Sequence, residues 1–348
     1  MTASAVARRL ARLHAAAPIR RLNKDDRLVV ISDLHMGDGG RVDDFRHNGA
    51  LVEAALRHHY LPQGFHLILN GDIEELQRFR APRVRAQWHE LLQLFSEFSA
   101  GSGLTRLIGN HDMSPEPLVA GMAKAGQALR LVGDGGEIFV FHGHQAALYG
   151  PAINRLLGWI LRWIASPLGI RNYTVAFNSR RKYRYEQRVY QFARSHHLLA
   201  MIGHTHRPLF ESISRLDTLK MRIEAACRDF ARQPEPQLAA EIHHMKSEFF
   251  TLTRSPGKYA GQSMLYHQGL LVPCLFNSGS AIGPGGVTAL EIDRGIANLA
   301  LWFHSSRNRR YLQVEERHAV RLENTDIHRV PLKTEDLNYI QTRIRLLS

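Results

Sequence analysis

Five short apolar runs punctuate the chain: "RLVVIS" (27–32), "FHLILN" (65–70), "LTRLIG" (104–109), "EIFVF" (137–141) and "LLAMIG" (198–203). Each is only a few residues long, and most are rich in Val, Ile or Leu. That pattern predicts buried strands. Between the first three, residues 43–59 and 84–99 place apolar side chains at helical spacing. Strand alternating with helix predicts an α/β architecture. Shorter strand patterns near 270–276, 287–292 and 296–303 predict a second, more antiparallel sheet.

Two segments break this rhythm. The first spans about 150–197. Its "INRLLGWILRWI" (153–164) is apolar nearly all round, and residues 151–190 carry eight Lys or Arg against a single acid, Glu186. The second spans about 211–262. Leu216, Leu219, Ile223 and Phe230 follow helical spacing, "QPEP" (233–236) breaks the chain, and 237–251 resumes the helix, which predicts a helical hairpin. The domain organisation read from this is a basic arm over 1–26, a main domain over 27–312 holding both insertions, and a tail over 313–348 that ends in a helix near 335–347. In the arm, Val6, Leu10 and Leu13 recur at helical spacing among Arg8, Arg9 and Arg12. Such a segment forms either an amphipathic helix lying on a membrane surface or a solvated arm.

Composition narrows the function classes. The chain has 348 residues with 44% hydrophobic and 22% charged side chains, a globular profile. Lys plus Arg outnumber Asp plus Glu by 45 to 32, a formal charge of +13 that favours anionic partners such as phosphate esters, nucleic acid or an anionic membrane face. The N-terminus lacks the long apolar stretch of a secretory signal, and Arg155, Arg162 and two prolines crowd the most apolar insertion, so a cytoplasmic protein, peripheral to a membrane at most, is expected. Cys227 and Cys274 are the only cysteines, without a CxxC pair. A disulfide framework and a thiolate zinc site are therefore excluded, and any metal must be held by His, Asp, Glu or Asn.

The residues just beyond each strand supply that chemistry. After 27–32 come Asp33 and His35, and after 65–70 come Gly71 and Asp72. "LTRLIG" runs into Asn110-His111-Asp112, "EIFVF" into His142-Gly143-His144, and "LLAMIG" into His204-Thr205-His206. Carboxyl ends of parallel strands line one edge of a sheet, where ligands bind. Residues distant in sequence thus converge, and the i, i+2 spacing of Asp33/His35 and His204/His206 aims each pair one way along extended backbone. Glycines at 71, 109, 143 and 203 relax the backbone there. Imidazole with carboxylate suits manganese, iron or zinc. Glu74 and Glu75 either orient such a site or cap the next helix at its positive end, and the cap is the expected role.

The ordered set Asp33/His35, Gly71-Asp72, Gly109-Asn110-His111-Asp112, His142-Gly143 and Gly203-His204-Thr205-His206 resembles the calcineurin-like metallophosphoesterase superfamily, with "NSGS" (277–280) as a further element. The resemblance covers roughly 27–145, 196–208 and 268–304. One given tetrapeptide arises by chance in roughly two of a thousand chains this long, and here GNHD and GHTH occur in order with three other elements. The resemblance implies a four-layer αββα sandwich carrying two divalent ions, manganese first with iron or zinc as alternatives. Asp33, His35 and His206 would hold one ion, Asn110, His142 and His204 the other, and Asp72 would bridge them. His111 would serve the leaving group and Asp112 would orient it. A pair of such ions makes hydroxide available at neutral pH and neutralises phosphoryl oxygens, which implies phosphoester or pyrophosphate hydrolysis.

Within the superfamily, "GDIEELQ" and "GNHD" depart from the GDxxDRG and GNHE of protein Ser/Thr phosphatases. The layout is most similar to the UDP-2,3-diacylglucosamine hydrolase branch, with a metal-site His-Gly, a basic apolar insertion, then GHTHRP. That implies a phosphorylated small-molecule or lipid-linked substrate, nucleotide-sugar diphosphates included, at an anionic membrane surface. His144 where that branch has Asp, GNHD where it has GNRD, and the hairpin after GHTH are departures. A nuclease or cyclic-nucleotide phosphodiesterase, with nucleic acid as partner, and a metal-bound interaction scaffold without turnover are the alternatives.

Overall fold

The computed structural model describes residues 3–112, 118, 124–147, 179–213, 215–253, 271–314 and 317–348. Its strands in chain order are β1 (Ile19–Arg21), β2 (Arg27–Ile31), β3 (His66–Asn70), β4 (Leu104–Leu107), β5 (Ala128–Gly133), β6 (Gly136–Phe141), β7 (Leu199–Ile202), β8 (Leu275–Asn277), β9 (Val287–Asp293), β10 (Ile296–His304), β11 (Gln313–Val314), β12 (Arg317–His318), β13 (Val320–Arg321) and β14 (Ile327–Asp336). One sheet has the order β13-β14-β10-β9-β2-β3-β4, a second has the order β1-β5-β6-β7-β8, and β11 pairs with β12.

Alternation along the strands explains how the sheets stack. Leu28 and Val30 of β2, Ile68 of β3, and Leu290 and Ile292 of β9 enter one core together with Phe141 and Met201 of the other sheet. Their neighbours Val29, Ile31, Leu67, Leu69 and Ala289 face the opposite way, into a second core with Leu51, Phe95 and Phe98 from helices Gly49–Ala55 and His89–Ala100. A period of two thus sends alternate residues to the sheet–sheet layer and to the helical layer. The fold is α/β, two sheets flanked by helices.

Three sequence expectations change. The antiparallel strands do not build a sheet of their own. β9 pairs antiparallel with β2, β10 follows it, and both extend the sheet of the first apolar runs, whereas β8 joins β7 in parallel. The reason is that β9 and β10 bury residues on both faces, so they need a layer on each side. The helix expected over 43–59 is broken into a short turn at Phe45–His47, a helix Gly49–Ala55 and a widened turn Leu56–Tyr60. The expected 84–99 helix is two, Ala81–Gln87 and His89–Ala100, parted at Trp88, whose indole Nε1 donates to Gly37 O.

The N-terminal segment is a helix, Ala3–Ala16, but its apolar face is packed rather than offered to lipid. Val6 and Leu10 are buried in the sheet–sheet core, and Arg9 donates to the carbonyls of Gln145 and Ala147. The 313–348 tail adds β13 and β14 to the large sheet and closes with helix Leu337–Leu347, capped by Asp336, which accepts from Tyr339 N. The hairpin of the second insertion is present as Arg215–Arg232 and Pro236–Thr253, with Leu219 and Met245 buried and Arg222 paired to Glu241. Of the first insertion, residues 148–178, including Trp159 and Trp163, lie outside the described residues, and helix Ser179–Ser195 follows. Among the described residues no helix is long and apolar enough to cross a membrane.

Candidate metal centre

β2 and β3 run parallel in one sheet, and β6 and β7 run parallel in the other. The pairing of β2 with β3 continues past the strands: Asp33 N donates to Gly71 O, His35 N to Asp72 O and Met36 N to Ile73 O. Two loops rich in metal-ligand side chains are thereby zipped together. Asp33, His35, Asp72, His204 and His206 all sit at φ between 50 and 64°. Side chains other than glycine avoid this left-handed region, so the surroundings must hold them there.

They are held by their own carboxylates. Asp33 accepts from the backbone N of His204 at 2.9 Å, and Asp72 Oδ1 accepts from His111 N at 2.8 Å. Glycine serves two purposes here. Gly71 has φ +83°, whereas Gly109 and Gly203 are needed for close approach: a Cβ on the first would strike Asp72, and on the second Ser32 and Asp33.

The result is a buried cluster at the junction of the two sheets. His206 Nε2 lies 3.0 Å and His35 Nε2 3.8 Å from Asp33 Oδ1, and the two imidazole nitrogens are 3.2 Å apart. His142 Nε2 lies 3.1 Å from Asp72 Oδ2, and the His204 ring stands 5.3 Å from that of His142. Among the described residues three donor groups result, Asp33/His35/His206, Asp72/His142/His204 and, sharing His35 with the first, His35/Glu75/His111, with the ligand atoms of each within 4.8 Å of one another. The first two groups touch where His35 Nε2 lies 3.9 Å from Asp72 and His142 Nε2 4.0 Å from Asp33.

Hydrogen bonding behind the rings sets their tautomers. His142 Nδ1 donates to Asn70 O at 2.8 Å, and His35 Nδ1 faces Glu75 Oε2 at 3.0 Å, so in each neutral ring the Nε2 lone pair points into the cluster. Burial opposes charge on Asp33 and Asp72, but His206 and His142 beside the first, and His142 and His111 beside the second, hold both carboxyls well below their usual range. Burial alone would lower His142, yet Asp72 and Asp33 push it up to about 9. Burial and the neighbouring His142 hold His204 well below the usual histidine value.

Three buried atoms on expected ligands make no directed hydrogen bond: Asn110 Oδ1, His204 Nε2 and His142 Nε2, the last in ion-pair contact with Asp72; Asn70 Oδ1 and His144 Nδ1 beside them also make none. Buried polar atoms are nearly always satisfied, and leaving one bare costs about 1–3 kcal/mol. All three are electron-pair donors on residues named as ligands from sequence. Oxygen and imidazole donors without thiolate fit divalent ions such as manganese, iron or zinc. The described residues therefore fit divalent metal.

The expected partnership of His111 with Asp112 is replaced. Asp112 accepts from the backbone N of Asp72, Ile73, Glu74 and Gly109 at 2.6–3.0 Å, so its carboxylate shapes the Asp72 loop. Glu75 takes the orienting place, with Oε1 2.7 Å from His111 Nδ1. Burial opposes its charge, but His111 and His35 hold it down to about 2. The capping role expected of Glu74 and Glu75 fails because the next helix begins only at Ala81. Glu74 instead meets Arg85 and the buried Arg106. A weak signal for Glu75 lay in an acid three residues beyond Asp72 with no helix pattern following. His144 stands outside the donor groups, its ring 5.5 Å from that of His142.

No family model and no curated protein matches the chain. Among solved structures it is similar to a conserved uncharacterised protein of Streptococcus pneumoniae TIGR4 described as a predicted phosphoesterase, at 16% identity and a TM-score of 0.31, covering 79% of this chain and 87% of that one. It is similar also to Vacuolar Protein Sorting 29 from Cryptosporidium parvum, at 10% identity and a TM-score of 0.35, covering 89% of this chain and 98% of that one. Likeness at this level assigns neither activity nor partner.

Proposed function

We propose that the chain is a dinuclear-metal phosphoesterase of the calcineurin-like kind, hydrolysing a phosphate ester or pyrophosphate bond. The observation that carries this reading is the convergence of two buried donor groups, Asp33/His35/His206 and Asp72/His142/His204, with Asn110 Oδ1 and His204 Nε2 left without a hydrogen-bond partner. Asp33, His35 and His206 would hold one ion and Asn110, His142 and His204 the other, with Asp72 shared. When bound, two divalent ions supply a hydroxide nucleophile at neutral pH and neutralise the phosphoryl oxygens.

The protein's own groups do the rest. Asp33 and Asp72 remain ionised through their histidine neighbours, so both carboxylates are available to a cation. Burial lowers His111, but Glu75 and Asp72 raise it further, so its imidazole keeps a proton to higher pH than an ordinary histidine. With Nδ1 turned to Glu75, Nε2 is the end that delivers that proton to a leaving oxygen. The formal charge of +13 draws anionic esters toward the protein. The substrate read from the sequence layout is a lipid-linked or nucleotide-sugar phosphate at a membrane surface, with manganese as the metal.

The test is a substrate panel with Mn²⁺ that includes p-nitrophenyl phosphate, its bis ester, nucleotide-sugar diphosphates, cyclic nucleotides and single-stranded DNA. Turnover that Asp72→Asn abolishes supports the reading. A panel in which metal-replete protein hydrolyses nothing, or in which Asp72→Asn equals wild type, rules for a scaffold. Selective cleavage of DNA or cyclic nucleotides replaces the proposed substrate class.

A further inference from the structure

Glu186 is the single acid among eight bases in residues 151–190, and an acid in such a helix is ordinarily solvated. Here it is fully buried. One carboxylate oxygen accepts from Thr205 Oγ1 at 2.7 Å and from Arg207 Nε at 3.1 Å, and the other accepts from Arg207 Nη2. Both partners lie in the loop that carries His204 and His206. From the opposite side, Asn277 Nδ2 donates to Thr205 Oγ1 at 2.8 Å and to Gly203 O at 3.0 Å. The Thr205 hydroxyl thus donates to Glu186 and accepts from Asn277, and its hydrogen-bonding role is settled from two elements at once.

The same helix, Ser179–Ser195, touches the centre elsewhere. The Tyr185 ring stands 4.9 Å from the His204 ring, and Arg188 Nη1 donates to Ala146 O at 2.8 Å, in the loop after His142. His204 and His206 flank Thr205 at φ 64 and 54°. Backbone in this region persists only where its surroundings over-determine it. A bidentate carboxylate–guanidinium pair is well suited to that task, since it fixes direction as well as distance.

We propose that Glu186 is a positioning residue whose buried carboxylate clamps Thr205 and Arg207, so that His204 and His206 face the metal centre only when helix Ser179–Ser195 is seated. The consequence for metal binding rests on the functional reading above, whereas the clamp itself does not.

Hydrogen exchange of the metal-free protein tests the clamp directly. In Glu186→Gln, which keeps the side-chain volume, the amides of 203–207 should exchange at least about 10-fold faster, with those of 27–35 and 66–72 unchanged. Thr205→Ser should retain wild-type exchange and Thr205→Val should not. Cobalt titration then reads the consequence: Glu186→Gln should bind at least about 10-fold more weakly, with altered visible bands. Wild-type exchange over 203–207 in Glu186→Gln overturns the proposal, as does wild-type cobalt affinity and spectrum in that variant. If wild type itself binds no cobalt, the functional reading fails, and the exchange experiment still decides the clamp. Should Glu186→Ala fail to fold, the Gln variant carries the test.

Discussion

His111 Nδ1 lies 2.7 Å from Glu75 Oε1, and the other oxygen of that carboxylate meets His35 Nδ1 at 3.0 Å. One buried anion therefore orients both His35, a proposed metal ligand, and His111, the histidine proposed to serve the leaving group. Because Glu75 raises His111, the protonated imidazole survives to higher pH than an ordinary histidine would. Glu75→Gln removes that support. The rate on an unactivated ester should fall about 10²-fold, and its decline on the alkaline side should move to lower pH. A p-nitrophenyl ester, whose leaving group needs little protonation, should suffer less. An alkaline limb that stays in place would show that His111 does not act as the acid.

Gly203 leaves no room for a side chain, since a Cβ there meets Ser32 Oγ and Asp33 Oδ2. Its own carbonyl is also held by Asn277. Gly203→Ala must push the β7 loop away from Asp33, which accepts from His204 N. Cobalt affinity should drop by at least about 10-fold, with the far-ultraviolet circular dichroism unchanged. Wild-type affinity in this variant would mean that the two loops have slack the contacts do not show.

Much of this centre was legible in the sequence because ligand residues must follow strand ends, and strand ends are marked by short apolar runs. Asp33, His35, Asp72, His142, His204 and His206 are found that way, and the structure brings them together. Glu186 and Arg106 were not, because their value lies in a partner far along the chain and no local pattern announces it, and Glu75, weighed as an orienting group, was read as a helix cap. β9 and β10 show the same limit at the level of fold. Their apolar alternation predicts strands, but which sheet they join depends on the β2 edge, a non-local fact. The left-handed backbone of the ligand residues was hidden for a related reason: the neighbouring glycines suggested that glycine alone would absorb the turn.

His59 and His66 make stability depend on pH. Burial, reinforced by Arg329 near the first and Arg20 near the second, pushes each down to about 4 from an ordinary 6.5. Between those values the unfolded chain binds protons that the folded chain refuses, so stability falls as pH drops through this window and is level above it. The urea midpoint should decline from pH 7 to pH 4.5, and the His59→Gln/His66→Gln double variant should lose less over the same range. Equal losses in both proteins would assign the acid sensitivity to other groups.

Arg106 on β4 is almost wholly buried and stands 3.4 Å from Glu74 Oε2 and 3.7 Å from Asp112 Oδ1. It is the buried cation behind the Asp72 loop, beside the Asp112 carboxylate that the backbone amides hold and the Glu74 carboxylate that it shares with the more exposed Arg85. Breaking one side of a buried pair costs about 3–5 kcal/mol, because the remaining charge is stranded. Arg106→Met should show a loss of that size in urea unfolding at pH 7. Burial already raises Glu74, and losing Arg106 raises it further, so mild acid should protonate it and shrink the deficit. Arg106→Met/Glu74→Gln, with one stranded charge removed, should recover a large part of the loss. If the double variant is as unstable as Arg106→Met alone, the arginine acts through packing against β4 rather than through its charge.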